Sequence, residues 1–283
     1  MTIRLLSLAL IGSAALWMPP ALAAGQTPAS GQGAYMPARL PDGQPDIQGS
    51  WRADPGGSYS VEYMGLQPLG GGGFGDKPPV KGGGSRVVDP PDGRIPYQPW
   101  AAAKALEIFN DHMNPRPDQL DPQGRCWLQG VVRTTYQSGF QILQTPGQVV
   151  FVINWGHSYR VIPLDGKPHI AENLKLFMGD SRGRWEGNTL VVDVANNNHL
   201  TWFDVVGSFH SDALRVVQRY TIVDANTMNY EATIDDQKVY TRPWKMAFRL
   251  RRNPEPDEVW EEACHEGNRS LQTILSRPRT SSP

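Results

Sequence analysis

The chain predicts a mainly β fold, an antiparallel meander of about eight short strands closed as a barrel or, alternatively, folded as a β-sandwich. Three observations predict it. From residue 141 onward apolar and polar side chains alternate with a period of two, turn-forming residues recur at strand-like intervals, and a single stretch has helical periodicity.

Taken in order, the N-terminus comes first. Arg4 precedes an apolar run over residues 5–17, Pro19 and Pro20 break it, and Ala21-Leu22-Ala23 carries the small residues of a cleavage site. This pattern predicts a secretory signal over residues 1–23, too short for a permanent span, and hence export to the periplasm or beyond. No later stretch is apolar and long enough to cross a membrane, so no integral span is expected.

Residues 24–98 hold much of the glycine and proline and predict an extended arm. Its glycine runs follow no apolar strand and precede no Lys-Ser/Thr pair, which removes a phosphate-loop reading. Within the arm, residues 45–53 centre on Trp51 and predict an ordered plug against the main domain. Residues 99–114 predict the helix, with Pro99 near its first position. Ala103, Leu106, Ile108, Phe109 and Met113 approximate one apolar face, and Pro115 and Pro117 end it.

The β domain is expected over residues 126–266. Strands are predicted at 141–145, 149–155, 157–163, 183–186, 189–194, 213–223, 227–235, 244–251 and 258–264, with a looped insert at 167–180. Gly187-Asn188 and Asp224-Ala225-Asn226 read as hairpin turns. Val216, Gln218, Tyr220 and Ile222 share one strand face, as do Met228, Tyr230, Ala232 and Ile234, and Trp244, Met246, Phe248 and Leu250. That face is expected to surround a hollow able to hold one small ligand. Residues 267–283 are expected to form a flexible tail.

The 27 basic and 28 acidic residues are interspersed, net −1, and no basic stripe marks a nucleic-acid partner. The only cysteines, Cys126 and Cys264, predict one disulfide in an oxidising compartment. No cofactor motif is present. The histidines lack the local spacing of a zinc site, so neither cofactor nor metal is expected.

The chain resembles a large, mostly uncharacterised family of exported bacterial proteins. The blocks that carry the resemblance are QTPG at 144–147, HSYR at 157–160, DGKPH at 165–169, GDSRGRWEG at 179–187, HSDAL at 210–214 and YTRPW at 240–244, together with both cysteines. Members commonly have Cys-x-Pro-Pro-Gly and an acidic residue near position 218. Here Cys126-Trp127-Leu128-Gln129-Gly130 and Gln218 stand instead. The resemblance implies export and brings no activity with it. The strand pattern is also lipocalin-like, by fold analogy alone.

His210 is the foremost candidate for chemistry. It lies in a loop before a long strand, and neutral imidazole exchanges protons near pH 7, with Asp212 near enough in sequence to orient the ring. Arg184 is expected to hold an anion, and Glu231 to serve as a general base if its strand face lines the lumen. Trp202 is the expected pocket wall, with Arg182, His157 and Tyr159 as further ligand contacts. His157 and Arg160 alternate on their strand, so at most one of them points inward. Three functions follow: an exported barrel enzyme doing cofactor-free acid–base chemistry (isomerase, lyase or cyclase) on a small partly apolar molecule, a non-catalytic small-molecule binder, or an envelope interaction module that uses the arm.

Overall fold

The computed structural model describes residues 35–57, 59–63, 84–112, 114–253 and 262–276, with the backbone of two short strands at 68–69 and 73–74. The predicted signal, most of the glycine runs of the arm, Met113 and residues 258–261 lie outside the described residues.

The fold is an antiparallel sheet nearly closed into a barrel. In chain order its strands are β1 (Gly49–Asp54), β4 (Val87–Asp89), β5 (Phe140–Thr145), β6 (Gln148–Ile153), β7 (Ser158–Pro163), β8 (Asp180–Glu186), β9 (Thr189–Ala195), β10 (Arg215–Asp224), β11 (Thr227–Asp235) and β12 (Trp244–Arg252). Strands β2 (Pro68–Leu69) and β3 (Gly73–Phe74) pair only with each other. The sheet runs β7-β6-β5-β1-β12-β11-β10-β9-β8, and β4 pairs with β12. The predicted hairpins are present with their turns.

At the seam β7 meets β8 through side chains. Arg160 Nε donates to Ser181 Oγ at 2.8 Å. Gly183 lets the strands approach, because a Cβ there would stand 2.6 Å from Ile162 Cγ2 and 2.7 Å from Leu164 Cδ2.

The segment read as a plug is a member of the sheet. β1 pairs with β5 at Gly49–Ile142 and with β12 at Ala53–Leu250, joining the two halves of the meander. Trp51 is buried, and its indole N–H donates to the Ile47 carbonyl at 2.9 Å.

The expected hollow is occupied. The inward residues of β10, β11 and β12 form one buried core, and Val131, Val132 and Tyr136 of the segment around α2 (Arg133–Gln137) pack into it. Gln218, on the inward face of β10, donates to the Val131 carbonyl at 3.0 Å and to Tyr230 Oη at 2.8 Å. A chain segment can enter a barrel only if its backbone polar groups find partners there, and Gln218 supplies one. Arg160 is the inward member of its strand, and Nη1 donates to Gln218 Oε1 at 2.6 Å. No carboxylate pairs with it among the described residues, and burial pushes its pKa down.

The helix α1 (Pro99–Asp111) forms as predicted, but on a different face. Ala101 and Ile108 are buried and Ala105 packs on the core, whereas Leu106 is 59% exposed. Gly207 decides this rotation: its φ is +95°, and a Cβ there would sit 2.3 Å from Ile108 Cγ2. The insert before β8 contains turns, and Leu176 bridges to Asn197. At the C-terminal end Glu262 makes a single bridge to Trp155, and the stretch read as tail contains the short helix α3 (Ser270–Leu275).

Cys126 and Cys264, 138 positions apart in sequence, form a disulfide with Cα atoms 5.5 Å apart. A loop that long restricts the unfolded chain strongly. Replacing both cysteines with serine is therefore expected to lower stability by about 2–5 kcal/mol. Equilibrium urea unfolding of the double variant checks it, and an unchanged midpoint would refute a stabilising role.

Candidate functional site

One end of the barrel carries a cleft of 490 Å³ between α1, the turns that precede Cys126, and the loop from β9 to β10. Helical spacing places Trp100, Lys104 and Ile108 on one side of α1, where they line it. Two short 3-10 turns, Pro117–Gln119 and Pro122–Arg125, bring in Arg125, and Trp127 follows them. The loop contributes His199, Trp202, Phe209 and His210.

Three consecutive asparagines tie down the start of this loop. Asn196, at φ +59°, donates to the carbonyls of Ala171 and Leu174; Asn197 donates to Leu214 O, and Asn198 accepts from Leu200 N–H. Trp202 bridges to Phe209, and Tyr240 Oη donates to Phe209 O at 2.7 Å. The aromatic wall is thus held by a backbone bridge and by the Tyr240 hydroxyl.

His210 lines the cleft but is buried, with both ring nitrogens engaged. Nδ1 lies 2.9 Å from the Ser211 carbonyl, which only accepts, so Nδ1 carries the proton. Nε2 then accepts from Thr201 Oγ1 at 2.8 Å. Burial lowers the His210 pKa, against the Ser211 hydrogen bond, so the ring is neutral at pH 7. Thr201 is itself packed on Gly130, where a Cβ would lie 2.8 Å from Oγ1.

Asp212 does not orient this ring. It is turned outward to Lys238 at 2.8 Å. Asp236 organises the loop instead, accepting from Ser211 N–H at 2.6 Å and Ser211 Oγ at 2.9 Å. Sequence proximity favoured Asp212, whereas the ladder of β11 delivers Asp236 from the following turn.

The other expected residues stand apart from the cleft. Arg184 pairs with Glu186 at 2.7 Å on the surface, and Arg182 with Asp180 at 3.1 Å. Glu231 is on the outer face and pairs with Lys245 at 3.0 Å. Tyr159 is 69% exposed on the outer face of β7, and His157 sits in the turn before that strand at φ +50°. None of these five lines the cleft. Among the described residues no group of three or more His, Cys, Asp or Glu is arranged to hold a metal.

Sequence reasoning reached Trp202 and His210 and missed Trp100, Lys104, Arg125 and Trp127. Trp100 and Lys104 carry a signal, an aromatic and a cation four apart on a helix. Arg125 and Trp127 depend on where the turns before Cys126 place them.

The cleft is electropositive and aromatic. Lys104 Nζ lies 4.7 Å from the Phe209 ring centroid, and the Arg125 guanidinium 5.5 Å from that of Trp127. Neither cation has a carboxylate in an ion pair among the described residues. Asp118, also on the rim, is drawn to Arg116 at 3.4 Å.

No family model matches the chain, and no curated protein matches it. Among solved structures it is similar to the fluorescent protein UnaG. The wild type is 13% identical, covers 52% of this chain and 87% of its own, and has a TM-score of 0.25. A point mutant of UnaG is 13% identical over 42% of this chain and 73% of its own, also at 0.25. A superposition this loose says nothing about residues or ligands. No helix among the described residues is long and apolar enough to cross a membrane.

Proposed function

We propose that this is an exported protein that binds a small, planar, partly apolar anion, such as an aromatic carboxylate, in the end cleft. The observation that carries this is the meeting of four aromatic side chains, Trp100, Trp127, Trp202 and Phe209, with two cations that have no acidic partner among the described residues. Aromatic faces take up a flat apolar body, and an unpaired Lys or Arg holds its charged end. Binding is favoured over acid–base chemistry because His210, the expected proton carrier, has both nitrogens engaged and is kept neutral by burial. Export rests on the N-terminal signal pattern and on the disulfide, which suits an oxidising compartment such as the periplasm.

The test is a titration with 2-naphthoate followed by tryptophan fluorescence. Lys104→Gln, a change on the exposed side of α1, is expected to weaken binding about tenfold by removing one charge-assisted contact. Trp202→Ala is expected to weaken it further. Unchanged affinity in both variants, or no saturable binding by the wild type, would exclude the cleft as the site. Native mass spectrometry of protein purified from its own host would then identify what it carries.

A further inference from the structure

A second cleft lies on the other side of α1 and has the opposite electrostatic character. Its volume is 410 Å³. One wall is the apolar edge of the helix, formed by Ala102, Ala105, Leu106 and Phe109. The exposure of Leu106 and the partial exposure of Phe109, which an apolar helix face alone does not explain, make this wall. The opposite wall is polar and comes from Glu62, Tyr97 and Ser208.

Hydrogen bonding leaves two of these groups with spare capacity. Glu62 Oε1 accepts from Ile95 N–H at 2.7 Å, and its other oxygen has no partner among the described residues. The Tyr97 hydroxyl is buried and within bonding distance of no partner among the described residues. The neighbouring Ser208 donates its own proton to Asp204 Oδ2 at 2.7 Å, so it has none to give the phenol, whose oxygen is left free to accept. Buried polar groups are normally satisfied, so the unused phenol of Tyr97, on the same pocket wall as the half-buried Glu62 carboxylate, marks a place for a ligand.

The charges around it are mostly negative. Asp204 sits behind Glu62, completely buried, and accepts from Val61 N–H, Ser208 N–H and Ser208 Oγ. Asp92 and Arg94 act on Glu62 from the segment that leads to Ile95. Arg94 stacks on Tyr63 at 3.9 Å and forms no ion pair with Glu62 among the described residues. The helix lines the cleft with no charged residue.

We infer that this cleft binds a small apolar amine as its ammonium ion, with Glu62 as counter-ion, the Tyr97 hydroxyl as a hydrogen-bond acceptor and the helix edge as the apolar wall. The site is independent of the anion-binding cleft, because the two use different sides of α1 and share no lining residue. An ammonium ion offers several donors, which suits a carboxylate and a phenol that line the same cleft.

The cleft also predicts a pH dependence. Burial, with smaller contributions from Asp204 and Asp92, raises the Glu62 pKa to about 7, against the Ile95 hydrogen bond and Arg94. A ligand cation that needs the ionised carboxylate therefore binds better as pH rises through this value. Between pH 6 and pH 8 the ionised fraction, and with it the affinity, is expected to rise about tenfold.

The test uses benzylamine, with benzyl alcohol as the uncharged control, titrated into the full chain by calorimetry. Saturable benzylamine binding that strengthens from pH 6 to pH 8, exceeds that of benzyl alcohol and falls about tenfold or more in Glu62→Gln supports the inference. Lys104→Gln should leave it unchanged, which separates this site from the aromatic-anion cleft. No binding at pH 8, equal binding of amine and alcohol, or no response to Glu62→Gln would overturn it. The amine–alcohol comparison on the wild type stands even if Glu62→Gln fails to fold.

Discussion

Replacing Asp121 with alanine is expected to destabilise the protein by about 3–5 kcal/mol, the usual consequence of leaving a buried charge without its partner. Arg133, on α2, is 1% exposed and holds Asp121 through two bonds, Nη1 to Oδ1 at 2.7 Å and Nη2 to Oδ2 at 2.8 Å. Burial opposes the guanidinium charge, and Asp121 more than offsets it, so Arg133 stays protonated. Gln123 accepts from Arg133 at 2.6 Å, and the Asp121 side chain also accepts from Gln123 N–H, capping the turn before Cys126. Losing the carboxylate thus releases both the turn and α2, which occupies the barrel interior. Urea unfolding measures the loss. The same background with Arg133→Met is expected to recover much of it, because the stranded charge is then gone. A loss below about 1 kcal/mol would show that solvent or Gln123 suffices to compensate Arg133.

Trp51→Ala is expected to cost about 3–5 kcal/mol, through lost burial and the cavity left behind. The ring is almost fully buried, and Arg252 stacks over it at 4.4 Å. The effect should spread beyond the site, because β1 is the strand that joins β5 to β12. Amide exchange is expected to quicken along both neighbouring strands. If only residues 47–54 lost protection, β1 would be an appended edge and the barrel would hold without it.

These two sites mark where sequence reading succeeded and where it stopped. Strands β5 to β12 were legible because most alternate with a period of two, β9 is a short β-branched run, and turn residues separate them. Hairpin pairing between neighbours in sequence then needs no long-range information. Trp51 was legible as a buried aromatic, but six residues flanked by glycine and proline carry no sign of which strands lie beside them. The composition of residues 24–98 is that of a linker and predicts an extended arm, whereas two strands of it, β1 and β4, belong to the sheet.

The cleft follows the same division. His210 and Trp202 stood out by residue type and loop position, and the structure places both on its wall. Asp212, two residues from His210, was the natural orienting group, yet a loop reversal turns it to Lys238 and brings in Asp236. Arg182, Arg184 and Glu231 have carboxylate or ammonium partners on the outer surface, which alternation alone does not reveal.

The amino-acid order by itself determined the antiparallel meander, its inward face, the α1 helix and the pairing of the only two cysteines, because each depends on local periodicity or on elimination. Tertiary structure alone decided that α2 enters the barrel, that β1 completes the sheet, and that α1 divides an electropositive cleft from an acidic one. Those outcomes depend on contacts between residues far apart in the chain, and short-range pattern carries no record of such contacts.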